Sequence, residues 1–172
     1  MAIVTRAGKG SELTHNELDE NFNWLNAEKA AQTGVTDGSS ATTGKVGEYI
    51  ESAVGLTNFP ASAIWGDLTS ITLTAGDWDV GMQISAAINT ATGMAWWSGG
   101  IGSAPGNTAT GLTGGDTQVI TRVPTASEDA SGSVSPKRYN LASSATLYVK
   151  YGATYSGGVP HANCRISARR VR

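Results

Sequence analysis

A mainly β fold is predicted: an antiparallel β-sandwich or jelly roll, preceded by an extended N-terminal arm and one α-helix. Three observations predict it. From Lys45 onward apolar residues recur with period two. The clearest run, Trp78–Ile88, puts Trp78, Val80, Met82, Ile84, Ala86 and Ile88 on one face and Asp79, Gly81, Gln83, Ser85 and Ala87 on the other. The runs are short and separated by turn residues, in a chain with 22 glycines. No helical periodicity lies between them, which favours an antiparallel sandwich over a parallel sheet.

The first element in order is a polar arm, Met1–Leu13, expected to be extended and ordered only by pairing with a partner. The helix follows, over Thr14–Gln32. Thr14 and Glu17 have the spacing of a capping box, in which the hydroxyl accepts from the Glu17 N–H and the carboxylate reaches back. Glu17, Asp19 and Glu20 crowd the first turn, where the helix dipole favours acids. Leu18, Phe22 and Leu25 form one apolar stripe, interrupted where Lys29 would extend it, and Trp24 lies off it on the side of Ala27 and Ala31. Two apolar faces fit a seam between copies plus a docking surface, or a cover for the chain's own sheet; the pattern leaves both open. Gly34 is the first plausible stop. Thr33–Gly44, rich in Gly, Ser and Thr, reads as a linker. The expected organisation is therefore residues 1–32 as arm and anchoring helix, 33–44 as linker and 45–172 as β domain.

Within that domain Val46, Ile50 and Val54 mark a first strand, and Ile71 and Leu73 a second. Gly76-Asp77 turns into the run at Trp78. Met94–Ile101 carries Trp96 and Trp97 on adjacent positions, so one points inward and one outward. Ala104–Gly115 is a loop. Thr117–Val123 is a short strand ended by Pro124, and Thr125–Pro136 an exposed loop. Lys137–Leu141, Thr146–Tyr155 and Asn163–Val171 complete about eight strands; Leu147, Val149, Tyr151, Ala153 and Tyr155 share a face.

Composition narrows the function. A formal net charge of −2 provides no field for nucleic acid or acidic lipid. With 15% charged residues, the surface is poorly charged for a soluble monomer, which points to faces covered by partners, here other copies of the chain. Cys164 is alone, so no internal disulfide or Cys-based zinc site is expected, in keeping with a reducing cytosol. The start has no long apolar run and no stretch is long enough to span a membrane, so neither a signal peptide nor membrane insertion is expected.

Candidate chemistry is sparse. The carboxylate pairs Asp77/Asp79 and Glu128/Asp129 suggest glycoside hydrolysis only if they face across a cleft, and solvated acids are the commoner case; Asp77 and Asp79 are expected on the solvent face. His161 and Cys164 have dyad residue types but no orienting acid, and His15 sits at a helix start. No metal set and no phosphate loop can be assembled. No catalytic residue, metal or cofactor is therefore expected. The outward member of Trp96 and Trp97 is the best interface or distal-contact residue. Arg169, Arg170 and Arg172, without a basic surround, are expected to pair with carboxylates at a subunit seam.

The segment Gly10-Ser11-Glu12-Leu13-Thr14-His15-Asn16-Glu17-Leu18-Asp19-Glu20-Asn21-Phe22 resembles the N-terminal segment shared by many tailed-bacteriophage virion appendage proteins. Gly47-Glu48-Tyr49-Ile50, Leu73–Val80, Leu147-Tyr148-Val149 and Ile166–Arg172 resemble the C-terminal domains of small phage tail-fibre-like proteins. The resemblance implies a homotrimeric, non-enzymatic β-sandwich on the virion exterior, assembled in the bacterial host cytoplasm. Leu18, Phe22, Trp24 and Leu25 would anchor it or close a trimer seam. Its implied partners are a phage structural protein of tail or capsid and a host-surface polysaccharide or protein. A chain of 172 residues lacks the long shaft of a typical tail fibre, which brings in the alternative of a head-fibre or decoration protein that stabilises the capsid.

Overall fold

The computed structural model describes residues 3–32, 39–87, 93–108, 112 and 129–172. The chain divides into two units, Met1–Glu48 and Tyr49–Arg172.

In the first unit the arm is not extended throughout. Arg6–Lys9 forms one helical turn, α1, because both its ends are capped: Thr5 Oγ1 accepts from Gly8 N at 3.1 Å, and Gly10 closes the turn at φ 74°. The arm is tied to its own chain. The Asn21 side chain, on helix α2 (His15–Gln32), accepts from Val4 N at 2.9 Å and donates to Val4 O at 2.8 Å. A single side-chain amide thus satisfies both backbone groups of Val4.

The capping box at the start of α2 is formed. Thr14 N donates to Glu17 Oε2 at 2.7 Å, and Glu17 N to Thr14 Oγ1 at 3.3 Å. Lys9 bonds the same carboxylate. Its bond and those from Thr14 hold the Glu17 carboxyl down at about 2, against an ordinary 4.5. A depressed carboxyl stabilises the fold above the ordinary value and stops doing so as pH falls through the folded value. Helicity of the first turn of α2 is therefore expected to persist at pH 4 and to fade toward pH 2. A carbon-detected NMR titration of Glu17 checks this; a midpoint near 4.5 would contradict it.

The second unit contains seven strands among the described residues: β1 (Tyr49–Asn58), β2 (Trp65–Leu73), β3 (Gly76–Ala87), β4 (Gly93–Gly102), β5 (Ala130–Leu141), β6 (Ala145–Ser156) and β7 (His161–Arg170). They form an antiparallel β-sandwich of one four-stranded sheet, ordered β1-β7-β3-β5, and one three-stranded sheet, ordered β2-β6-β4. Successive strands alternate between the sheets, the winding of a jelly roll. Ser52 of β1 and Thr69 of β2 join the two sheets along one side, their hydroxyls 2.6 Å apart. The core holds Trp78, Val80, Met82, Ile84 and Ala86 from β3, Leu147, Val149, Tyr151 and Ala153 from β6, Ile166 and Ala168 from β7, and Trp97 and Ile101 from β4. These are the period-two faces of the sequence, buried between the sheets for the reason the alternation exists.

Several expectations are corrected. The first strand begins at Tyr49 rather than near Val46; Lys45 and Glu48 instead take part in turns, bonding backbone to Thr42 O and Lys45 O. Ala130–Pro136, expected as loop, is the first half of β5 and pairs with β3 from Met82 to Ala86. Its small polar residues have little strand propensity, but pairing supplies their backbone partners. Pro136 is accommodated because β5 is an edge strand and the register shifts there. Asp77 is not on a solvent face; it is 4% exposed. Gly34, Ile88, Glu128 and the strand expected over Thr117–Val123 lie outside the described residues.

Candidate functional site

Among the described residues, those suggestive of catalysis are not brought into working arrangements. Asp77 and Asp79 sit on one face of β3 and share Arg138, at 3.7 and 2.7 Å; Asp77 also binds Arg172. Two carboxylates on one strand, both committed to arginines, do not face each other across a substrate. His161 and Cys164 are three apart on β7 and so point to opposite sheet faces. Cys164 is buried, and burial pushes its thiol up to about 11, which leaves little thiolate for attack. His15 is exposed at the first residue of α2, and among the described residues no three metal-ligating side chains cluster.

The helix stripe is open to solvent in the single chain: Phe22 is 66% exposed, Leu25 47% and Leu18 37%. Trp24 is half-buried. On β4 the inward tryptophan is Trp97, fully buried, and the outward one is Trp96, which packs on Trp65 with ring centroids 5.9 Å apart. Two of the three terminal arginines find side-chain partners within the chain. Arg170 is buried, donates to Ala75 O at 2.7 Å and to Thr74 Oγ1, and lies over the Trp78 ring at 4.4 Å; Arg172 bonds Asp77. Arg169 is exposed, opposite Asp79 in the β3–β7 register.

Two features were not anticipated. The first is a buried charge on the outer face of the three-stranded sheet. Lys150 of β6 is 0% exposed; it bonds Asp67 of β2 and donates to Gly106 O at 2.9 Å. Asp67 Oδ2 in turn accepts from Gly106 N at 2.7 Å, so one ion pair pins the loop after β4 by both of its peptide groups. Alternation marked Lys150 as outward, and only the returning loop makes it buried.

The second is a trough on the outer face of the four-stranded sheet. Two adjoining hollows of about 490 and 380 Å³ share Gln83 and Ser133. The floor is Gly81, Gln83 and Ser85 of β3, with Ser167 of β7 and Ser131 and Ser133 of β5 beside them. At one end Tyr49, Glu51 and Arg165 are bonded together: Tyr49 donates to Glu51 Oε2 at 2.7 Å, Arg165 Nε donates to the same oxygen at 3.0 Å and Arg165 Nη2 to Tyr49 Oη at 2.8 Å. The bonds from Tyr49 and Arg165 lower the Glu51 carboxyl below its ordinary value, so it stays ionised and occupied by them. The outward positions Gly81, Gln83 and Ser85 were legible in the sequence as a polar strand face; their assembly with Ser133 depended on the strand hidden in the expected loop.

Among known proteins, no family model matches this sequence and no curated protein does. Solved structures of low similarity include the infectious bursal disease virus Gx strain, at 13% identity and a TM-score of 0.44, covering 81% of this chain and 37% of that one. Another is a point mutant of the VP2 protein of the same virus in T=1 particles, at 13% identity and a TM-score of 0.43, covering 80% and 36%. The chain thus spans little more than a third of the length of these two structures.

Proposed function

We propose that this chain is a non-enzymatic virion surface protein, a homotrimeric phage appendage whose N-terminal unit attaches to the particle and whose β unit binds the host surface. One observation carries the proposal: a capped helix of 18 residues displays Leu18, Phe22 and Leu25 to solvent, in a unit separate from the sandwich. A lone helix of that length is marginal in water and gains stability by covering its apolar face. Three copies around an axis, or a site on a tail or capsid protein, would provide that cover. The resemblance of residues 10–22 to phage appendage anchors supports the same assignment. A second reading, a decoration protein that stabilises the capsid, is favoured by Leu56, Ile64 and Val159, which expose apolar surface on the β unit itself.

Phe22→Ala tests the anchor. Particles assembled with this variant are expected to carry at least about tenfold fewer copies, the effect of ~1.4 kcal/mol per site, while the free β unit melts as before. Light scattering of the free wild-type protein should give a trimer mass. Normal copy number with Phe22→Ala would refute the anchor. Particles that shed their genome on heating when they lack the protein would favour decoration over adhesion.

A further inference from the structure

We propose that the trough over Gly81 is a binding site for a neutral, hydroxyl-rich chain, namely a surface glycan. The proposal rests on the host-surface reading above and gives it a site. Its shape suits a chain laid along the sheet: from Gly81 to Ser85 the floor runs ~13 Å at the rise of a strand, and both hollows are open.

Its chemistry separates the possible ligands. Nucleic acid and acidic lipid need unpaired cations. Here Arg165 is committed to Glu51 and Tyr49, so the charged end is neutral. An apolar peptide needs pockets for its side chains, but Met82, Ile84 and Val134 turn theirs into the core, and the Pro136 ring and Tyr49 are what the trough offers of apolar surface. What remains is Gln83, Ser133 and Ser167, whose side chains make no hydrogen bond to the other described residues. Hydroxyls and amides both donate and accept, the match for a polyol whose own hydroxyls do the same. The half-buried Tyr49 ring stands at the end of the row, where a sugar face can stack.

Gly81 makes the site testable. A Cβ there would meet Pro136 Cγ at 3.6 Å, Val134 O at 3.7 Å and Pro136 Cα at 3.9 Å, all ordinary contacts, so the backbone accepts a side chain that projects into the trough. The experiment applies the 172-residue protein to a printed panel of neutral and anionic bacterial-surface oligosaccharides. It compares wild type, Gly81→Val, Gln83→Ala and, as a control on the exposed face of the other sheet, Thr72→Ala. Wild type should bind neutral members. Gly81→Val should bind them at least tenfold more weakly with unchanged melting temperature and oligomeric state, Gln83→Ala should weaken binding, and Thr72→Ala should bind as wild type. Three results would each overturn the proposal: no member bound by wild type, binding restricted to anionic members, or Gly81→Val binding like wild type. A change of oligomeric state in Gly81→Val would also overturn it, since the trough would then be an interface between copies. Copy number on particles is expected to be normal for Gly81→Val, so failure here leaves the anchor assignment standing, and failure of Phe22→Ala leaves this one standing.

Discussion

Trp78→Ala is expected to destabilise the β unit by about 3–5 kcal/mol, the range for emptying a large aromatic site in a packed core. Trp78 has no exposed surface. It lies on β3 between β7 and β5, opposite Arg170 and Tyr139. Its indole N–H donates to Thr74 O at 2.9 Å, and the Arg170 guanidinium covers the ring. Truncation therefore empties the site and also removes the surface on which a buried cation rests. Gly76→Ala should fail through the same cluster: at φ 138° a side chain is strained, and its Cβ would come within 1.9 Å of Arg170 Nη1. Urea unfolding of both variants checks this. A loss below about 1 kcal/mol for Trp78→Ala would mean that the cavity collapses and that the cluster does not organise the sheet.

Asp67→Asn is expected to cost about 3–5 kcal/mol, because it leaves the Lys150 ammonium buried without a counter-charge. Lys150→Met should cost less. The methionine fills the same space, and the remaining Asp67 carboxylate is 24% exposed and still accepts from Gly106 N. The asymmetry separates an ion pair from simple packing, which would make the lysine the costlier loss. The double variant should recover part of the Asp67→Asn penalty, since removing both charges from a buried pair is often near neutral. Denaturant midpoints for the four proteins complete the cycle. Equal penalties for both single variants would show that the loop after β4 is not held by charge.

The limits of legibility follow from how far each signal reaches along the chain. The α2 cap could be read because Thr14 and Glu17 are three residues apart and bond only each other, Lys9 and the helix start. The core faces of β3 and β6 could be read because a half-buried strand writes its burial as alternation. The first half of β5 could not, because Ser131 and Ser133 carry no apolar signal and are held as strand by pairing with β3. Arg170 and Lys150 were opaque for a related reason. A cation in a period-two pattern reads as solvated until something folds over it, and the covering groups, Thr74 and Ala75 for one and Gly106 for the other, lie 44 to 96 residues away.

By itself, then, the sequence determined the class of fold, the position and start of the helix, the inward faces of its clearest strands, and the absence of a strong net charge. All of these but the net charge arise from neighbours within a few residues. Tertiary structure alone decided that Arg170 turns inward and that Asp77 is buried. It also placed Trp97 inside and Trp96 outside, and brought Gly81, Ser133 and Ser167 together as one trough. Each of those depends on which strands lie side by side, and strand order is set by burial of the whole sheet rather than by any local stretch of chain.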